Sequence, residues 1–166
     1  MENQPSIEES KIEIIEPSPE VMEKADGYMT LLREIVPDAT ISLIGSLAIP
    51  VALKNEIDLL IEIEGSHDMA SIQEKIREGT GDMFHIGPVE GGEGFMRSKK
   101  KYGIICELHI LHRGDARIDR YHEIVRRFRS EPDLAKKYDS LKRSLHGASY
   151  EVYKAEKAKF FHEYSL

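Results

Sequence analysis

A glycine–serine pair closing one β-type run and an aspartate opening the next form the most chemically suggestive spacing in the chain. Gly45-Ser46 follows Ala39 to Ile44 (ATISLI), and Asp58 lies in Ile57 to Ile63 (IDLLIEI), with eleven residues between Ser46 and Asp58. Glycine lets a backbone approach a ligand closely. Serine adds a hydroxyl, and the amides of a tight turn suit phosphate oxygens. Carboxylates on one face of adjacent strands hold a divalent cation that bridges phosphates. Strand alternation puts Asp58, Leu60 and Glu62 on one face and Leu59, Ile61 and Ile63 on the other. In Tyr102 to Leu111 (YGIICELHIL), Glu107 and His109 share a face with Ile105 and Leu111, while Ile104, Cys106, Leu108 and Ile110 form a core face. If the two polar faces coincide, Asp58, Glu107 and His109 meet near the turn. Asp58 and Glu107 are then the metal ligands, and His109 is a general base or a further ligand.

Other polar groups carry weaker signals. His109 and His112 are three apart on a strand, so their rings face opposite ways and make no zinc pair. Gly91-Gly92-Glu93-Gly94 lacks the strand–helix setting of a dinucleotide loop and reads as a plain turn. Arg97 to Lys101 (RSKKK) reads as a charged hairpin, with phosphate steering by Arg97 as the alternative. Tyr138, Leu141, Leu145, Tyr153 and Phe160 read as packing between the last two helices.

The elements that must position these groups are legible from periodicity. Lys11 to Glu16 suits a short edge strand. Ser18-Pro19 opens a helix, with Ser as N-cap and Pro at the first helical position. Its apolar face is Met22, Ala25, Met29, Leu32 and Ile35, and Pro37 stops it. A short helical piece is expected over Leu47 to Leu53, a helix over Asp68 to Glu78 ended by Gly79, and a short strand near Met83 to Ile86. Helices follow over Asp115–Ser130, Asp133–Leu145 and Ser149 to about Tyr164. The order predicts an α+β (α/β) fold, a mixed sheet flanked by helices with a helical C-terminal part. Residues 1–10 read as a frayed tail and 11–166 as one domain.

Bulk properties narrow the class. No apolar run approaches the roughly 20 residues a membrane helix needs, and the polar, acidic start is not a targeting segment. The single cysteine, Cys106, allows no internal disulfide and fits a cytoplasmic setting. The net charge of -7 hides an asymmetry: residues 1–96 hold 20 acidic and 6 basic side chains, residues 97–166 hold 10 and 17. A basic half facing a carboxylate-bearing half suits a phosphate-rich small molecule with a cation. The plainer alternative is that the basic residues decorate solvent faces of helices. The acidic balance and the lack of an aromatic–basic motif argue against nucleic acid. Oligomeric state stays open.

An ordered series of segments resembles the GrpB family, which has a nucleotidyltransferase fold. KIEIIEPSPEVMEKA (Lys11 to Ala25) is similar to its opening strand and helix, and ISLIGSLAIP (Ile41 to Pro50) to its HIGSTAVPG segment. Lys54 with Ile57-Asp58 is similar to the following KPIIDI. GEGFMRS (Gly92 to Ser98) and ELHIL (Glu107 to Leu111) resemble later strands. FRSEPDLAKKYDSLKRSL (Phe128 to Leu145) and YKAEKAKFF (Tyr153 to Phe161) resemble its closing helices. The chain departs from the pattern at Leu60, where nucleotidyltransferases carry a second carboxylate two residues after the first. Glu62 lies about 13 Å from Asp58 along an extended strand, too far to share one ion with it. Val51 stands where the family has Gly.

The resemblance implies binding of a nucleoside triphosphate with Mg²⁺ and nucleotidyl transfer to an unidentified acceptor. Gly45 and Ser46 would hold phosphates, and Asp58 with Glu107 the metal. Lys54, Lys142 and Lys157 would neutralise phosphate charge, with Arg97 as a further nucleotide-binding candidate. The alternative, favoured by Leu60, is an inactive nucleotide- or coenzyme-binding module of the same fold. Domains of this family also occur fused to a kinase of the coenzyme A pathway.

Overall fold

The computed structural model describes residues 11–87, 91–98 and 103–166. Five strands form one sheet: β1 (Thr40–Ile44), β2 (Glu56–Ile63), β3 (Phe84–Ile86), β4 (Gly94–Ser98) and β5 (Ile105–His112), in the order β1-β2-β5-β4-β3. β2 and β5 run parallel, and every other pair is antiparallel. Among the described residues five helices complete the fold: α1 (Pro19–Ile35), α2 (Met69–Thr80), α3 (Ala116–Ser130), α4 (Pro132–Ser144) and α5 (Tyr150–Glu163). This is the expected mixed α+β architecture. None of these helices is long and apolar enough to cross a membrane.

The sheet separates two apolar layers, and this decides which face can carry chemistry. On one face Leu59, Ile61, Cys106, Leu108 and Ile110 pack against Ala25, Tyr28, Leu32, Ile72 and Ile76 of α1 and α2. The opposite face is covered unevenly. Leu60, Leu111, Ile44 and Ile118 make a small cluster under α3. A second cluster ties Ala48, Ile49 and Val51 to Phe128, Leu134, Tyr138 and Phe160 of α3, α4 and α5. Within it, the rings of Phe128 and Tyr138 stack with centroids 5.0 Å apart. Asp58 and Glu107 lie on this second face.

Local signals explain most element boundaries. The Ser18 hydroxyl accepts from the Val21 amide (3.3 Å), and Asp68 and Ser149 cap α2 and α5 in the same way. Asp115 caps α3 through the Arg117 amide at 2.9 Å.

Several expectations need correction. Lys11 to Glu16 is no strand: it makes two isolated bridges, Lys11 to Ser149 and Ile15 to Leu53. The buried stripe of α1 is Val21, Ala25, Tyr28 and Leu32, rotated from the one expected; Met22 is exposed. Tyr28 takes the inner position because its hydroxyl bonds buried Asp82 at 3.1 Å. Leu47 to Leu53 forms no helix beyond a 3₁₀ turn at Gly45–Ala48. Gly79 does not end α2, which runs to Thr80 with left-handed Gly81 as its cap. A Cβ at Gly79 would sit 2.6 Å from Ile35 Cγ1, so glycine there allows α1 and α2 to approach. α4 runs over Pro132–Ser144, starting one residue before the expected Asp133 and without a side-chain cap. Gly94–Ser98 is a strand, so the glycine-rich stretch is not all turn, and Arg97 lies in β4. The rest of the expected hairpin, residues 99–101, lies outside the described residues, as do residues 1–10.

Candidate nucleotide and metal site

Gly45 leaves β1 with φ +63°, a left-handed conformation that favours glycine. The 3₁₀ turn it opens is fixed from the helical side: Arg129 Nε donates to the Ala48 carbonyl at 2.8 Å, and Lys142 Nζ donates to the Ser46 hydroxyl. The following segment is held by the Ala52 amide, which donates to Asp139 Oδ1 at 2.7 Å. That anchor delivers Lys54 to the mouth of β2.

Register then assembles the acidic cluster. In the parallel β2–β5 ladder Asp58 pairs with Glu107, and Leu60 pairs with His109. Asp58, Glu107 and His109 each offer a ligand atom within 4.8 Å of those of the other two. Cα pairing in register on one face accounts for this, since neighbouring strands lie about 4.8 Å apart.

A cavity of about 230 Å³ opens over the cluster, lined by Gly45, Ser46, Lys54, Glu56, Asp58, Glu107, His109 and Lys157 on its polar side. Its apolar side comes from α3, α4 and α5, including Tyr121, Phe128, Tyr138, Tyr153 and Phe161. Two nucleotide-binding candidates stand behind the wall rather than in it. Lys142 is buried with 1% exposure and meets the cavity wall through the Ser46 hydroxyl and the Tyr138 ring. Arg97 forms ion pairs with Glu56 (2.8 Å) and with Glu107. Lys54 also pairs with Glu56, at 2.7 Å.

Sequence reasoning passed over Glu56, Glu93 and Tyr121. Glu56 is buried and shares the face of Asp58, two positions earlier, so strand parity would have flagged it. Glu93 Oε1 lies 2.7 Å from His109 Nδ1, and the Tyr121 hydroxyl sits 3.2 Å from the same nitrogen. Nothing in the glycine-rich context of Glu93 points to this. His112 turns away to the Glu64 carbonyl at 3.2 Å, as strand parity requires.

The charges are strongly coupled. Burial raises the pKa of Glu107, and the neighbouring charge of Asp58 raises it further against the pull of Lys54 and Arg97. Glu56 is raised by burial and by Glu107. Burial alone would lower His109, but its bond to Glu93 and the charges of Asp58, Glu93 and Glu107 raise it on balance. Glu93 is held low by the His109 bond. Burial pushes Lys142 down to about 7, helped by repulsion from Lys157.

A family model described as GrpB protein matches residues 11–165. The chain belongs to the GrpB family. Among solved structures, GrpB from Enterococcus faecalis superposes with a TM-score of 0.75 at 22% identity, covering 90% of this chain and 95% of that one. Cid1, whose structure is described in connection with RNA terminal uridylyl transferase activity, superposes with a TM-score of 0.56 at 20% identity. That match covers 77% of this chain and 40% of Cid1. The GrpB-family chain therefore has a nucleotidyltransferase-like fold and spans well under half of Cid1. No curated protein sequence matches it.

Proposed function

We propose that this GrpB-family protein binds a nucleoside triphosphate with a divalent cation and transfers a nucleotidyl group to an acceptor. The observation that carries this reading is the convergence of Asp58, Glu107 and His109 within 4.8 Å, beside the Gly45-Ser46 turn. The donor set fits a cation: two carboxylates and an imidazole lie close enough to share one ion, given bond lengths near 2 Å. Mg²⁺ is the ion the fold leads one to expect, held by Asp58 and Glu107. Bound there, it would offset charge on the phosphates.

The residues around the cluster supply the rest. Ser46 presents its hydroxyl to the cavity under the control of Lys142. Lys54 and Lys157 line the cavity, and Lys142 lies behind it. Burial depresses Lys142 most, with repulsion from Lys157 and Lys54 adding to it, and a phosphate placed near the three would offset that repulsion. The aromatic side of the cavity offers faces for a nucleobase or another planar group. Arg97 acts on the site indirectly, by orienting Glu56 and Glu107.

Thermal-shift titration with the four common nucleoside triphosphates, with and without Mg²⁺, tests the reading. Stabilisation that requires Mg²⁺ and disappears in Asp58→Asn is expected, together with transfer of an α-phosphate label. Two observations favour a second reading, a nucleotide- or coenzyme-binding module without catalysis. Leu60 occupies the second carboxylate position, and Arg97 already neutralises Glu107. Stabilisation by nucleotide without Mg²⁺, and no label transfer, would select that module.

A further inference from the structure

The position two residues after Asp58 on β2 carries Leu60, and the residue in register with it across the parallel ladder is His109. The donor missing from β2 is thus answered by a nitrogen donor on β5. The surroundings of that imidazole suit a metal ligand. Metal-bound histidines nearly always give their second ring N–H to a carboxylate, a backbone carbonyl or water, which fixes the tautomer and makes the ligating nitrogen more basic. Here Nδ1 lies 2.7 Å from Glu93 Oε1. Glu93 is itself fixed by Arg117 Nη1 at 3.3 Å and by the Tyr121 hydroxyl at 3.4 Å. With Nδ1 engaged, Nε2 is the nitrogen left for an ion beside Asp58 and Glu107. The edge of Phe95 packs on the ring, with centroids 5.4 Å apart, and restrains its rotation.

A set of two carboxylates and one imidazole is not what Mg²⁺ selects. Mg²⁺ prefers all-oxygen octahedra that keep several waters. Imidazole nitrogen favours first-row transition ions over Mg²⁺, and within that row the two carboxylates suit Mn²⁺. We infer that the site holds a divalent first-row transition ion of the Mn²⁺ kind in preference to Mg²⁺, with Asp58, Glu107 and His109 Nε2 as ligands and Glu93 as the residue that positions His109. The inference rests on the reading that this cluster holds a divalent cation, and it changes which one.

The test uses the whole chain without nucleotide, titrated with Mn²⁺ and Mg²⁺ by calorimetry, with pulsed electron paramagnetic resonance of the Mn²⁺ form. Mn²⁺ is expected to bind about 10-fold or more tightly than Mg²⁺, following the softer donor. The resonance should show ¹⁴N coupling from a directly bound imidazole. His109→Ala should lose that coupling and bring Mn²⁺ affinity down to that of Mg²⁺. Glu93→Gln keeps an oxygen for Nδ1–H but removes the charge, and it should weaken Mn²⁺ about 10-fold. Mg²⁺ affinity should hold within about 2-fold in the same variant, because Mg²⁺ makes little use of the imidazole. Equal affinities, no saturable binding of either ion, or ¹⁴N coupling that survives in His109→Ala would each overturn the inference. The wild-type comparison needs no variant, so a poorly folded mutant cannot obscure it. No triphosphate or acceptor enters these titrations. Failure to find transferase activity therefore leaves the inference standing, and equal binding of the two ions ends it while leaving a Mg²⁺-dependent transferase intact.

Discussion

A Cβ placed on Gly45 would lie 2.8 Å from Asp58 Cγ and closer still to its Oδ2. Glycine at this position therefore serves twice: it takes φ +63° at the end of β1, and it leaves the room in which the Asp58 carboxylate stands. Gly45→Ala should cost about 2–4 kcal/mol, the left-handed penalty plus the clash. It should also displace Asp58 and abolish cation binding. Urea unfolding and a metal titration on the same preparation check both. Wild-type metal affinity in the variant would mean that the turn does not control Asp58.

Arg97 is the hinge of the buried charge network, paired with Glu56 and Glu107, while among the described residues Lys54 pairs only with Glu56. Removing one partner of a buried pair leaves an uncompensated charge, which costs roughly 3–5 kcal/mol. Arg97→Gln should fall toward the lower part of that range, because the Arg97 side chain keeps 17% exposure. Both carboxylates already have raised pKa values, and losing Arg97 raises them further. The folded variant then binds more protons than the unfolded chain above the ordinary carboxylate range. Its deficit should shrink as pH falls through that window, which urea unfolding from about pH 7 to 5 would show.

Strand alternation made the central part of this site legible. Asp58, Glu107 and His109 could be placed on one face because β2 and β5 are regular, and each has an apolar opposite face. What alternation cannot give is partnership across the sheet. That β5 lies parallel beside β2, with Asp58 opposite Glu107, depends on a long connection through α2, β3 and β4. Glu93 was lost because its flanking glycines read as a turn and gave no sign of the carboxylate lying beside His109. The phase of α1 was misjudged because Met22 and Tyr28 compete for the inner stripe, and a buried acceptor, Asp82, decides for tyrosine. Lys142 follows Leu134, Ala135 and Tyr138 at helical spacing on the buried face of α4, so its inward direction was readable. Its charge disguised it.

Lys142 gives a pH signature of its own. Its pKa falls to about 7 in the folded protein against about 10.5 when unfolded. Between those values the unfolded chain holds a proton that the folded one does not. Stability should therefore rise with pH across that window, by at most about 1.4 kcal/mol per unit. Below about pH 7 both forms are protonated and the full burial cost is paid. Lys142→Met should remove this slope. Urea unfolding of both proteins at about pH 7 and 9.5 measures it, and identical slopes would refute the assignment.

Leu60 shows why the usual second carboxylate cannot simply be restored. It is fully buried among Ile44, Leu111 and Ile118, where the sheet meets α3. Leu60→Asp would put a charge into that cluster, in register with His109. The expected cost at pH 7 is about 3–5 kcal/mol, from desolvation and lost packing together. Burial would raise the new carboxyl's pKa, so the folded state would bind its proton more readily than the unfolded chain. Part of the loss should return as pH is lowered toward the ordinary carboxylate range, and Leu60→Asn should show no such recovery. If Leu60→Asp were neutral at pH 7 and tightened Mg²⁺ binding, the apolar cluster would be dispensable. The chain would then be one substitution away from the two-carboxylate strand that its fold leads one to expect.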